Sequence, residues 1–182
     1  MAGIVICGGN GSGKSTIARE VANILNYKLM DMDSYYFPNK DSDYKYGYSL
    51  STEEVTELLL TDMKTHKDFI MAAVTGDYGE EINSYYTLAI VIEAPLELRL
   101  ERVINRSYIE FGDRILPGGD LYEKEKEFFD MVASRPEDRV EKWLNTISCP
   151  IIRIDGTKPV IENVEHIIKI LTNKAEKNSR IL

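Results

Sequence analysis

Gly8-Gly9-Asn10-Gly11-Ser12-Gly13-Lys14-Ser15 satisfies every fixed position of the pattern G-x-x-x-x-G-K-[ST]. Its setting matters as much as its letters. Before it runs Ala2-Gly3-Ile4-Val5-Ile6-Cys7, short, β-branched and flanked by glycine, as expected of a buried parallel strand. Behind it, Lys14 to Leu25 carries Ile17, Val21, Ile24 and Leu25 at helical spacing. A glycine-rich turn between strand and helix can curl so that successive N–H groups face an anion, and the helix start adds its positive end. Gly8, Gly9, Asn10, Gly11, Ser12, Gly13, Lys14, Ser15 and Thr16 therefore form a candidate cradle for the phosphates of ATP. In it Lys14 reaches the outer phosphates and the Ser15 hydroxyl can ligate Mg²⁺.

Working outward, Lys28 to Met32 reads as a second strand leading to Asp31 and Asp33, and Ser34 to Leu50 as a polar, tyrosine-rich loop or short helical insert. Ser51 and Glu54 have the spacing of a capping box and predict a helix to about Lys64. Asp68 to Val74 and Leu88 to Ile92 are further strands. Pro95 opens a helix carrying Leu96, Leu100, Val103 and Ile104. Gly112, Pro117, Gly118 and Gly119 mark Arg106 to Asp120 as a mobile loop. A charged helix succeeds it from about Leu121 to Leu144, with a break expected at Pro136. Pro150 to Ile154 is a fifth strand, Val160 to Leu171 a last helix, and Asn173 to Leu182 a frayed tail. Strands alternating with helices predict an α/β fold, a parallel sheet covered on both faces. The 182 residues fit a single domain, 1–182, with a lid at about 106–120.

The balance of charges narrows the partners. A net charge of −8 argues against nucleic acid, which needs a basic face to displace counterions. No apolar run approaches the ~20 residues that span a bilayer, and the start shows no basic, cleavable leader, so a cytoplasmic protein without a membrane partner is expected. Cys7 and Cys149 read as buried structural thiols. The guanine-reading motif of GTPases is not met by Asn39 to Ser42, which comes too early and ends in serine.

Asp31 and Asp33 stand at the carboxyl end of the second strand, where open α/β sheets bind ligands, and residues two apart on a strand share a side. Both can reach one site, one toward Mg²⁺ and the other accepting a proton from an attacking hydroxyl. Arg99, Arg102 and Arg106 recur at helical spacing and Arg114 lies in the loop beyond. Arg99 is assigned to a solvated face with Glu97 and Glu101. Arg102, Arg106 and Arg114 are candidates for neutralising a transferring phosphoryl group. Arg135 and Arg139, on either side of Pro136, are weaker candidates, since the adjacent acidic helix offers them ion pairs. Tyr35, Tyr36, Tyr44, Tyr46, Tyr48, Tyr78, Tyr85 and Tyr86 crowd the region between the second and fourth strands. There they either stack on a base or sugar or simply pack an insert.

Taken together, these residues resemble the P-loop kinases of nucleosides, nucleotides and shikimate, from Ala2 to about Leu171, and in particular a uridine kinase-like branch assigned to AAA-family ATPases. Asp31-Met32-Asp33 is similar to the Asp-x-Asp of shikimate-type kinases. Asp33-Ser34-Tyr35-Tyr36 is similar to the Asp-Ser-Phe-Tyr of uridine-type kinases. Glu93 to Arg99 with Arg102 and Arg106 resembles the group's strand, helix and arginine-bearing lid, and Ile154-Asp155-Gly156-Thr157 its last strand and adenine-side loop. The stretch Arg106 to Asp120 departs from that pattern. The resemblance implies a three-layer fold with a five-stranded parallel sheet in the order 2-3-1-4-5. It also assigns Asp31 to the metal and Asp33 to the acceptor hydroxyl. Lys14, Asp33, Arg102, Arg106 and Arg114 are then the expected catalytic set. The implied reaction is γ-phosphoryl transfer from MgATP to a hydroxyl of a small molecule. A nucleoside-type acceptor is favoured because no arginine lies between Arg19 and Arg99 to grip an acceptor phosphate. A nucleoside monophosphate kinase, a nucleotide-responsive binding module and an acceptor-free NTPase are the rivals.

Overall fold

The computed structural model describes residues 1–39 and 43–179, with side chains to 173. Five strands form one parallel sheet in the order β2-β3-β1-β4-β5. They are β1 (Ala2–Cys7), β2 (Lys28–Asp31), β3 (Asp68–Ala73), β4 (Leu88–Glu93) and β5 (Ile151–Asp155). The order is that of the P-loop kinase fold. Between them run α1 (Lys14–Leu25), α2 (Met32–Tyr36), α3 (Thr52–Thr65), α4 (Glu80–Asn83), α5 (Leu96–Phe111), α6 (Tyr122–Ser134) and α7 (Arg139–Leu144), and α8 (Val160–Ser179) comes after the last strand.

Alternation along the central strand explains the layers. Ile4 and Ile6 of β1 pack with Ile17 and Val21 of α1 and Val164 and Ile167 of α8. Val5 and Cys7 face the opposite layer, with Val55 and Leu59 of α3 and Trp143 and Leu144 of α7. With both faces covered, β1, β3 and β4 are almost wholly apolar, as buried parallel strands require. The capping box at the start of α3 forms as its spacing predicts: Glu54 N–H donates to the Ser51 hydroxyl and Ser51 N–H to the Glu54 carboxylate.

Local geometry departs from expectation in several places. β2 stops at Asp31 and α2 begins at Met32, so Asp33 lies on a short helix rather than on the strand. The stretch expected to be a loop from Arg106 is helical through Phe111 and continues as a 3-10 turn, Gly112–Ile115. Gly112 takes φ 59°, which ends α5 by turning the chain rather than loosening it. The charged helix divides where its proline predicts, around Arg135 and Pro136, into α6 and α7. The last helix runs to Ser179, into the stretch expected to fray. Among the described residues, no helix is long and apolar enough to cross a membrane.

Candidate active site

All five strands run in one direction, so their carboxyl ends open onto one edge. Cys7 leads there into the phosphate loop, Asp31 ends β2, Ala73 leads to Val74 and Thr75, and Glu93 leads to Pro95. The loop closes on itself through Ser12 N–H to the Gly9 carbonyl at 3.1 Å and is tied to the sheet by Gly8 N–H to the Val74 carbonyl at 3.3 Å. Gly13, at φ 98°, is the N-cap of α1 and brings no side chain to cap it, which leaves first-turn N–H groups for an anion. At Gly11, φ is 79° and a Cβ would fall 2.1 Å from the Arg99 carbonyl oxygen, so no other residue fits without moving α5.

A cavity of about 400 Å³ opens from this loop. Lys14, Ser15, Asp31, Asp33 and Arg106 line it. The Lys14 ammonium is pushed below its usual range, chiefly by burial, with Asp33 opposing the shift and Arg106 reinforcing it. Asp31 is raised, first by burial and then by the neighbouring Asp33 carboxylate. The Ser15 hydroxyl donates to Asp31 Oδ1 at 3.4 Å, and Arg19 stands 3.7 Å from Asp31 Oδ2. Ser15 and Asp31 thus offer two oxygens at one point beside the phosphate cradle. That set suits Mg²⁺, which takes one or two protein oxygens and completes its shell with phosphates and water. The two aspartates do converge, though for a different reason from the one expected. The turn from β2 into α2, rather than strand alternation, brings Asp33 to the cavity.

The arginines are redistributed. Arg106 faces the cavity from α5, on a helix rather than in a loop. Arg102 does not line that cavity: its Nη1 donates to the Gly156 carbonyl at 2.9 Å and lies 3.5 Å from the Gly11 carbonyl, fastening α5 to both loops. Arg114, expected at the phosphates, lies elsewhere. It forms a two-pronged ion pair with Asp120 and donates to the Asp43 carbonyl at 3.2 Å. Arg99 is not a solvated residue paired with Glu97 and Glu101. Its Nε donates to the Ala94 carbonyl at 3.0 Å and its guanidinium lies against Gly9.

Arg135 and Arg139, the weaker candidates by sequence, both line the cavity. Arg135 donates to the Asn10 side-chain oxygen at 2.7 Å, and burial lowers its pKa. The Arg106 and Arg139 guanidiniums have no hydrogen-bond or ion-pair partner among the described residues. A signal for Arg135 and Arg139 does exist in the sequence. They are four apart, on either side of Pro136, where α6 gives way to α7.

The same cavity is rich in aromatic rings. Tyr36, Phe37, Tyr44, Tyr46, Tyr78 and Phe128 line it, with Met131. Phe37 and Tyr46 meet edge to face at 5.0 Å, and Tyr46 stacks on Phe128 at 6.5 Å. The other crowded tyrosines serve packing. The Tyr35 hydroxyl donates to Asp62, Tyr86 is buried and donates to the Gly76 carbonyl at 3.0 Å, and Tyr85 packs against the core. Tyr48 is exposed. Lys45 is held 2.6 Å from Glu110 and covers the Tyr46 ring, while Lys40 and Asp41 lie outside the described residues. Cys7 is buried and Cys149 partly so, and the two are not joined in a disulfide.

A P-loop kinase fold with a phosphate loop, two carboxylates and cavity-facing arginines defines the class. The chain belongs to the AAA domain family, whose sequence profile matches residues 4–130. It is 27% identical to the uncharacterized protein YqaC of Bacillus subtilis (strain 168), over 93% of this chain and 97% of that one. It is also 27% identical to a cytidylate kinase of Thermodesulfovibrio yellowstonii, over 65% of this chain and 57% of that enzyme. Among solved structures, a gluconokinase from Sinorhizobium meliloti aligns with TM-score 0.54 at 15% identity, over 98% of this chain and 95% of that one. A shikimate kinase from Aquifex aeolicus aligns with TM-score 0.51 at 21% identity, over 95% and 98%. These structural likenesses are of fold.

Proposed function

We propose that this chain transfers the γ-phosphoryl group of ATP, bound with Mg²⁺, to a hydroxyl of a small molecule, a nucleoside-type acceptor being favoured. One observation carries the reading. Lys14, Ser15, Asp31, Asp33 and Arg106 line one cavity together with Tyr36, Phe37, Tyr44, Tyr46, Tyr78 and Phe128. Phosphate machinery and flat apolar faces lining one cavity suit a donor and an acceptor meeting there. The names of the relatives, kinases of cytidylate, gluconate and shikimate, point the same way.

Each residue has a task in such a transfer. The phosphate loop's N–H groups and Lys14 hold and orient the phosphates. Mg²⁺, when bound beside Ser15 and Asp31, supplies further neutralisation of phosphate charge. Asp33 accepts the proton of the acceptor hydroxyl as it attacks. Arg106 and Arg135, both close enough to depress the Lys14 pKa, place guanidinium charge where negative charge spreads during transfer. The aromatic wall orients the acceptor and excludes water, so that positioning and charge neutralisation carry the rate. Residues 1–182 act in this reading as one domain, with the arm formed by α5, the 3-10 turn and α6 as its lid.

A phosphorylated acceptor is the second reading, favoured by one observation. Arg139 is unpaired among the described residues and close enough to Tyr78 to act on its hydroxyl. A guanidinium there could grip a monophosphate in place of the arginine missing between Arg19 and Arg99. ADP release with matched nucleosides and nucleoside monophosphates, under identical MgATP, separates the two. Turnover with unphosphorylated acceptors supports the first reading. Turnover with monophosphates alone replaces it with the second. ADP release that no acceptor accelerates would leave an NTPase or a nucleotide-responsive binding module.

A further inference from the structure

Glu125 is a carboxylate with no exposed surface, on α6, outside the set of groups that line the cavity. Its Oε1 accepts the Tyr44 hydroxyl at 2.8 Å, and its Oε2 has no hydrogen-bond partner among the described residues. A buried carboxylate with half its acceptor capacity unused is costly to keep, so the bond it does make calls for a reason. That bond spans 81 residues and joins two parts of the site. Tyr44 belongs to the acceptor-side wall, whereas α6 is the return limb of the arm that brings Arg106 and Arg135 to the phosphate loop. The link does not stand alone. Lys45 pairs with Glu110 at 2.6 Å, and the Tyr44 ring packs on Phe111 at 5.5 Å. Among these links the Tyr44–Glu125 bond ends on a carboxylate with no exposed surface.

We infer that Glu125 is a positioning residue: it fastens the Tyr44–Tyr46 wall to the arm, so that nucleotide bound at the phosphate loop also orders the acceptor pocket. The inference rests on the nucleotide-binding part of the reading above and adds a coupling to it. Nucleotide that recruits Arg106 and Arg135 immobilises the arm. Through the Tyr44–Glu125 bond the segment 43–48 is then held without touching the nucleotide.

Amide hydrogen exchange with a non-hydrolysable ATP analogue and Mg²⁺ tests this with no acceptor present. In the wild type, the analogue should slow exchange both at residues 8–16 and at 43–48, the latter by at least about fivefold. In Glu125→Ala and in Tyr44→Phe, protection at 8–16 should persist while nucleotide-dependent protection at 43–48 is lost. Glu125→Gln, which keeps an oxygen for the Tyr44 hydroxyl, should restore it. Variants that loosen 43–48 equally with and without nucleotide would reveal a purely structural role and overturn the coupling. Protection at 8–16 with none at 43–48 in the wild type would also overturn the coupling alone, as would undiminished protection at 43–48 in both Glu125→Ala and Tyr44→Phe. Absence of protection at 8–16 in the wild type would remove nucleotide binding and the inference with it.

Discussion

The Arg135 guanidinium donates to the Asn10 side-chain oxygen at 2.7 Å, joining the end of α6 to the phosphate loop across 125 residues of sequence. Asn10 thereby orients a cation over the site that the loop alone does not provide. Arg135→Ala is expected to lower acceptor-dependent ADP release about tenfold or more. Asn10→Ala should lower it less, because the arginine remains. The double variant should be no slower than Arg135→Ala, since Asn10 acts through Arg135. Additive losses in steady-state kinetics would show that the two residues work separately.

Lys14→Met keeps the aliphatic stem and removes the charge. Its affinity for MgATP, by calorimetry, should fall on the order of 100-fold, because no other side chain replaces that point charge on the phosphates. The fold should survive. Lys14 has a folded pKa below its ordinary value, so its charge costs the empty protein stability below that range, and the cost fades as pH rises toward 10.5. A cooperative melt with wild-type affinity would remove Lys14 from the phosphates.

Asp33→Asn should separate chemistry from binding. The variant is expected to lose turnover by about 100-fold or more while its MgATP dissociation constant changes little. Equal losses in both measurements would move Asp33 to the metal side and leave the proton acceptor unassigned.

Arg106 and Arg114 are equivalent candidates by sequence but should behave differently in the folded protein. Arg106→Ala removes an unpaired guanidinium from the cavity, and turnover is expected to fall roughly 100-fold. Arg114→Ala breaks a surface pair with Asp120 and should cost far less. Rate measurements showing comparable losses would mean that the arm swings Arg114 inward during the reaction.

Cys7, immediately before the phosphate loop, has its thiol pKa pushed up to about 12, above all by burial. The native protein at pH 9 should therefore be alkylated by iodoacetamide at the partly buried Cys149, with Cys7 modified only after unfolding. Peptide mapping by mass spectrometry reads this directly. Linkage gives the sign for stability. The Cys7 contribution is whole below about 9, where the unfolded thiol ionises, and is lost as pH climbs through about 12.

Contiguous residues decide the features that are legible in the sequence. The phosphate loop, the buried strands and the Ser51–Glu54 capping box each depend on neighbours within a few positions, so spacing alone reveals them. The fate of the arginines depends on contacts across the fold. Arg99 packs on Gly9, Arg102 on Gly156 and Arg135 on Asn10, and in each case the partner sits on a loop whose position only the sheet sets. Glycines between Gly112 and Gly119 suggest slack, whereas backbone bonds from Leu116 to Asp113 and from Leu121 to Arg114 make that stretch a compact corner. Glu125 carries no signal in the sequence, because a glutamate within Glu123 to Glu127 looks like one more solvated charge until its burial is known.

The passage from β2 to α2 has no connecting residue: Asp31 closes the strand and Met32 opens the helix. Each residue added to a helix rotates the next side chain by about 100° around its axis. A single insertion between Asp31 and Asp33 would therefore swing the second carboxylate out of the cavity, and a deletion would do the same in the opposite sense. This junction does not tolerate a change in length. Natural divergence or laboratory selection for new acceptors must then proceed through the tyrosine-rich segment and the arm, while the spacing of the two aspartates stays fixed.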